Sequence, residues 1–198
     1  MATENGIRIA VITGSVRPGN YTGMAAALVM DELSKARDVS AQYIDPASLD
    51  LPAPGAGPIS ESMVKLKDDV AGSTGIILAT PEYHGSFSSV MKLVIENLGY
   101  PSVLSGKPVA LLGVAAGAIG AVKSLEHLRS VCSHIGAIVL PGPVSVANVR
   151  GVFDENGRCL DENIEGRIRG IAGNLRDYII RSVCPSHALE RFVREGAG

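Results

Sequence analysis

Apolar positions along the 198-residue chain alternate between two spacings from end to end. Short continuous apolar runs rich in β-branched residues read as buried strands: Ile7 to Thr13, Gly75 to Ala79, Pro108 to Val114 and Ala137 to Leu140. A more polar run, Ser40 to Asp45, reads as an edge strand. Between these runs the period lengthens to that of a helix. Ala25, Leu28, Val29, Leu33 and Ala36 share a face within Asn20 to Ala36, and Ile59, Met63, Leu66 and Val70 mark a shorter helix. Val90, Met91, Val94, Ile95 and Leu98 stripe a third, Val122, Leu125, Leu128, Cys132 and Ile135 a fourth, and Ile164, Ile168, Ile171, Leu175 and Ile179 the last. Breakers separate them. The segment from Pro46 to Pro58 holds four prolines and two glycines and reads as loop, Pro141-Gly142-Pro143 stops the final strand, and Asp154-Glu155-Asn156-Gly157 reads as a hairpin turn. Five strands alternating with five helices predict an α/β fold with a doubly wound, mostly parallel sheet. With no internal repeat and no linker, one domain over residues 1–198 is expected, its weakly patterned tail from about 185 either loose or docked at an interface.

Composition restricts the partners more than the fold. The formal net charge of -2 and a charged fraction of only 19% leave no electrostatic reason to expect nucleic acid or an acidic membrane. Cys132, Cys159 and Cys184 are odd in number and widely spaced. They match neither a zinc site nor a disulfide framework, so no metal and a reducing, cytoplasmic setting are expected. The first residues lack the basic-then-apolar pattern of a signal peptide, and no apolar run is long enough to span a bilayer.

Open α/β sheets bind ligands beyond the C-terminal ends of their strands, which directs attention to three loops. Thr13 to Thr22 opens a helix, where unpaired backbone N–H groups and the helix dipole attract an anion. Ser15, Asn20 and Thr22 offer hydrogen bonds there, Arg17 a planar cation, and Gly14 and Gly19 a close-wrapping backbone. The segment reads as a phosphate cup or as an ordinary capped helix start with a solvated arginine. Neither GxxxxGK[ST] nor GxGxxG occurs in it. The second loop, Pro81-Glu82-Tyr83-His84-Gly85-Ser86, is stiffened by its proline and shaped by its glycine. Its backbone N–H groups suit the polar edge of a flat ring; the alternatives are a Glu82–His84 acid–base pair, or exposure of both without a role. The third, Ala115 to Ala121, is rich in small residues, which either leave room for a planar group or let a helix pack tightly on the sheet.

In this order the three loops resemble the NADPH-dependent FMN reductase family of flavodoxin-like proteins. The family pattern GSxRxxSxN is met by Gly14-Ser15-Val16-Arg17, with Asn20 in place of its second serine and Thr22 in place of its asparagine. PEYxGSxxxxLKNxID is met by Pro81 to Ser86, Met91-Lys92 and Ile95-Glu96, with Leu93 in place of asparagine; His84 stands where the family often has asparagine. The resemblance covers about residues 7–140 and implies a flavodoxin-like, five-stranded parallel sheet in three α/β/α layers. It implies non-covalent FMN, with Ser15, Arg17, Asn20 and Thr22 holding the phosphate and Tyr21 nearby. Pro81, Glu82, Tyr83, His84, Gly85 and Ser86 would border the ring, with Ala116 and Gly117 at its other edge. NADPH or NADH would deliver hydride to flavin N5, with no catalytic side chain. The electrons would pass to a small-molecule acceptor: a flavin, quinone, azo compound or metal ion. A homodimer or homotetramer is also implied. The alternative is a flavodoxin-type electron carrier without nicotinamide turnover, against which Arg17 and the small net charge both speak; a scaffold that has lost activity is a third reading.

Overall fold

Strands that are apolar on both faces must be covered on both, and the alternation of their side chains decides which helix covers which. The computed structural model describes residues 6–195. Its strands are β1 (Ile7–Thr13), β2 (Val39–Ile44), β3 (Gly75–Tyr83), β4 (Ser86–Phe87), β5 (Pro108–Val114), β6 (Ile138–Val139) and β7 (Val144–Val146). The helices are α1 (Tyr21–Ser34), α2 (Glu61–Ala71), α3 (Ser89–Asn97), α4 (Val122–His134), α5 (Val149–Val152), α6 (Glu162–Tyr178) and α7 (Cys184–Glu195). The parallel sheet runs β2-β1-β3-β5, with β6 and β7 both pairing with β5 to form the outer edge. Ile9, Val11, Ile77, Ala79 and Leu112 pack beneath α1 and α6. Their sequence neighbours Ala10, Ile12, Ile76, Leu78 and Leu111 pack beneath α2, α3 and α4. The result is the flavodoxin-like, doubly wound three-layer fold expected.

Three expectations are corrected. The third strand does not stop at Ala79: it continues to Tyr83 and turns back as β4, with Glu82 paired to Phe87 and Tyr83 to Ser86. The second loop is therefore a hairpin, closed by His84 (φ 51°) and Gly85 (φ 72°). Positive φ at both central residues is the mark of the tight turn whose twist matches its strands. The last strand does not end at Pro141-Gly142-Pro143; the prolines interrupt an edge, where ladder donors are not all needed, and pairing with β5 resumes at Val144. The described part of the tail is helical. A π-helical segment, Ile179–Val183, leads into α7. The wider turn accommodates Pro185, whose ring would clash with the carbonyl of Arg181 in a regular helix. Ile59 falls before the second helix, 75% exposed, and Ser60 caps that helix through Met63 N. The Asp154 turn is as expected: its carboxylate accepts from Asn156 N and Arg158 N at 2.9 Å, below a Phe153–Cys159 bridge. Burial places Cys132 in the core and pushes its thiol up to about 12, which suits packing rather than thiolate chemistry.

Charged side chains join α1 and its exit to α6. Arg176 makes a bidentate pair with Asp38 (3.0 and 2.8 Å), and Arg169 reaches Asp31 and Glu165. Hydrogen bonds from Arg169 hold Asp31 below the ordinary carboxylate range, those from Lys35 do so for Glu32, and those from Arg176 for Asp38. A depressed carboxylate stabilises the fold above its unfolded pKa of about 4, and the contribution is lost as pH falls through the lower folded value. The melting temperature is therefore expected to drop as pH falls below about 4. Arg176→Gln should melt lower at neutral pH and show a flatter acid limb, read by thermal scans across pH. An unchanged acid limb would remove Asp38 from this account.

Candidate active site

The chain leaves β1 toward β2 on one side and returns to β3 on the other, so the crevice between the C-terminal ends of β1 and β3 is the switch point of the sheet. A cavity of about 420 Å³ opens there. Each of the three loops contributes to its wall.

The first loop forms the end nearest α1. Asn20 caps the helix: its side-chain oxygen accepts from Gly23 N at 2.7 Å, while its amide nitrogen donates to Arg17 O at 2.6 Å. Both ends of that side chain are committed, so Asn20 shapes the loop. Asn20 takes the amides of both Gly23 and Met24, and the first two helix residues, Tyr21 and Thr22, whose amides lie ahead of any intrahelical partner, line the cavity. Ser15 and Thr22 are buried, line the cavity, and have no hydroxyl hydrogen-bond partner among the described residues. Two amides, two hydroxyls and the dipole of a fourteen-residue helix are groups that could hold an anion. The Arg17 guanidinium lies 5.3 Å from the centroid of the Tyr83 ring, a cation–π contact that joins this loop to the hairpin.

The hairpin supplies Pro81, Glu82 and Tyr83 to the same wall. Glu82 is spoken for. Its carboxylate accepts from Ser124 N at 3.0 Å, in the first turn of α4, whose own N-cap residue Ala121 offers no side-chain bond. An anion at that helix start is favoured by the dipole, so Glu82 acts as a cap delivered from another element. That removes the support for a Glu82–His84 acid–base pair. His84, Gly85 and Ser86 stand outside the cavity wall, and the Ser86 hydroxyl lies 3.1 Å from His127 Nδ1.

The third loop divides between cavity wall and helix packing. Ala115 and Ala116 line the cavity, while Ala121 is fully buried against the sheet. Gly117 is off the cavity wall, its carbonyl accepting from Asn148 N at 3.1 Å. Val149 and Arg150, on α5, complete the wall and were not singled out from sequence. They arrive there because β7 extends the edge strand past the prolines and Val149 N bonds Ala115 O at 3.0 Å. Among the described residues no group of three or more His, Cys, Asp or Glu side chains is placed to hold a metal, and no helix is long and apolar enough to cross a membrane.

Residues 7–151 match the family model described as NADPH-dependent FMN reductase. A 2-hydroxy-1,4-benzoquinone reductase from Burkholderia is 28% identical over 162 residues, covering 79% of this chain and 87% of the relative. An FMN-dependent NADPH-azoreductase from Staphylococcus aureus is 27% identical over 166 residues, covering 80% and 87%. Among solved structures, the flavoenzyme NAD(P)H:(acceptor) oxidoreductase FerB of Paracoccus denitrificans superposes with a TM-score of 0.71 at 24% identity, covering 88% of this chain and 98% of that one, a likeness of fold.

One buried hydroxyl joins the first loop to the start of α3. Ser88 Oγ donates to Gly14 O at 2.5 Å and accepts from Met91 N at 3.0 Å. Ser88→Ala strands both partners in the interior and should cost about 1–3 kcal/mol in urea unfolding. A loss below about 0.5 kcal/mol would mean that the two loops are registered by something else.

Proposed function

Because the chain belongs to the NADPH-dependent FMN reductase family, we propose that the cavity at the β1–β3 switch point holds FMN, its phosphate at the start of α1 and its ring between the hairpin and the loop after β5. The protein is an NAD(P)H-dependent FMN reductase, with FMN as cofactor and NAD(P)H as co-substrate. The observation that carries the site assignment is that one cavity is lined by the first loop, the hairpin and the third loop together. Ser15, Thr22, the amides of Tyr21 and Thr22, and Arg17 are the groups that would bind the phosphate; Pro81, Tyr83, Ala115 and Ala116 would bound the ring. FMN, when bound, supplies the redox chemistry, taking two electrons from NAD(P)H and passing them to an acceptor.

The side chains themselves bind, orient and exclude water. The cavity wall contains no His, Cys, Asp or Lys, and its single carboxylate, Glu82, is used as a helix cap. The other titratable wall residues are Tyr21 and Tyr83 and two arginines, and we propose that the flavin carries the chemistry without a protein acid or base. For the acceptor we propose a small aromatic compound, a quinone or an azo compound. The support is a set of exposed apolar side chains, Val16 (47%), Tyr83 (39%) and Ile119 (83%), one on each loop, together with the named activities of the relatives. No comparable observation favours an electron carrier. The exposed Leu189, Phe192 and Val193 on α7 support a homodimer or homotetramer, and the three free cysteines support a cytoplasmic setting.

Purified protein should show flavin absorbance that bleaches on anaerobic addition of NADPH or NADH and returns on addition of a benzoquinone or azo dye. Flavin that stays oxidised with both nucleotides would defeat the reading. Arg17→Ala should weaken FMN binding by about 1.5–3 kcal/mol in titrations of flavin-free protein, the worth of a charge-assisted contact. Equal affinity in that variant would take Arg17 out of the phosphate site.

A further inference from the structure

Two arginines line the cavity, and they approach it from different sides of the sheet. Arg17 leans over Tyr83 on the hairpin, which packs on α4. Arg150 comes from the other side. Its neighbours on α5, Val149 and Val152, are buried in the core formed with α1 and α6. Phe153, which ends α5, sets its ring 6.4 Å from that of Tyr21, the first residue of α1. The turn that follows continues this packing, since a Cβ on Gly157 would stand 3.4 Å from Met24 Cγ. The segment carrying Arg150 is thus seated on the first turn of α1, whose first two residues, Tyr21 and Thr22, line the cavity. Among the described residues neither Arg150 nor Arg17 has a carboxylate partner, whereas Arg169 and Arg176 are paired with acids. An unpaired guanidinium at a cavity wall beside a helix start suits a dianionic phosphate.

We propose that Arg150 is a second phosphate-holding cation of the flavin cavity, acting from the α1 side of the sheet while Arg17 acts from the hairpin side. The proposal rests on the reading of this cavity as the flavin site. It assigns a binding role to α5, an element outside the two sequence patterns that carried the resemblance. A phosphate held between two cations and the α1 amides is fixed from both sides. The contact is specific to the phosphate, so it should distinguish FMN from riboflavin, which has the same ring and no phosphate.

The test titrates the flavin-free, full-length protein with FMN and with riboflavin, following flavin fluorescence, and compares Arg150→Gln with the parent. The expected result is a loss of FMN affinity on the order of ten-fold or more. Riboflavin affinity and melting temperature should be unchanged, because Arg150 is exposed. Arg150→Lys, which keeps the charge and loses the planar fork, should fall between, and it carries the test if the glutamine variant does not fold. Unchanged FMN affinity overturns the proposal, as does an equal loss for FMN and riboflavin, which would be a packing or ring effect. A raised KM for NADPH with intact FMN binding also overturns it, by moving Arg150 to the co-substrate. A parent protein with no preference for FMN over riboflavin would bring down the phosphate cup itself. If that preference falls with Arg17→Ala and not with Arg150→Gln, only the role of Arg150 fails.

Discussion

One buried serine holds the site together. Ser88 closes the hairpin and caps α3, donating its hydroxyl to Gly14 O and accepting Met91 N, while its own amide donates to Thr80 Oγ1 at 3.2 Å. Thr80 in turn donates to Pro81 O at 3.0 Å. The end of β1, the end of β3 and the start of α3 are therefore joined through the buried Ser88, whose amide and hydroxyl make the two bonds between elements. The same constraint explains Gly14. A Cβ there would stand 2.9 Å from Ser88 Oγ and 3.0 Å from Met91 Cβ, so the loop approaches α3 closely only because position 14 has no side chain.

This arrangement bears on the chemistry. An acid, a tyrosine and a histidine in succession suggest proton transfer, and the hairpin disperses them. Pairing in β3 and β4 sends the Glu82 carboxylate to α4, sets Tyr83 beneath Arg17, and leaves His84 in a left-handed turn off the cavity wall. What faces the cavity is backbone amide, hydroxyl, guanidinium and small apolar side chain. Such a surface suits the phosphate and flat ring proposed to bind there, with electron transfer left to the cofactor.

The outer edge of the sheet has a comparable role. Two prolines would be costly in a central strand; at the edge they only split it, and the second piece delivers α5 to the cavity. On the far side, the charged pairs between α1 and α6 are largely exposed and contribute mainly through their number and their shared partner Arg169.

The hydrophobic periods were sufficient for the class of fold. Strand and helix spacing are local, and a run apolar on both faces has to be an inner strand, so β1, β3, β5 and the helices that cover them were legible. The position of the first loop at a capped helix start on the cavity wall was legible too, because strand-to-helix loops of such sheets gather at the switch point. The commitments of particular side chains were not legible. Asn20 offers the same amide whether it binds a ligand or caps its own helix; Glu82 finds Ser124 across 42 positions of sequence, and Arg150 reaches the cavity through an edge strand that seemed to have ended. Periodicity reports how each segment meets the core. Which side chains remain free for a ligand depends on partners distant in the chain, and only the assembled sheet brings those within reach.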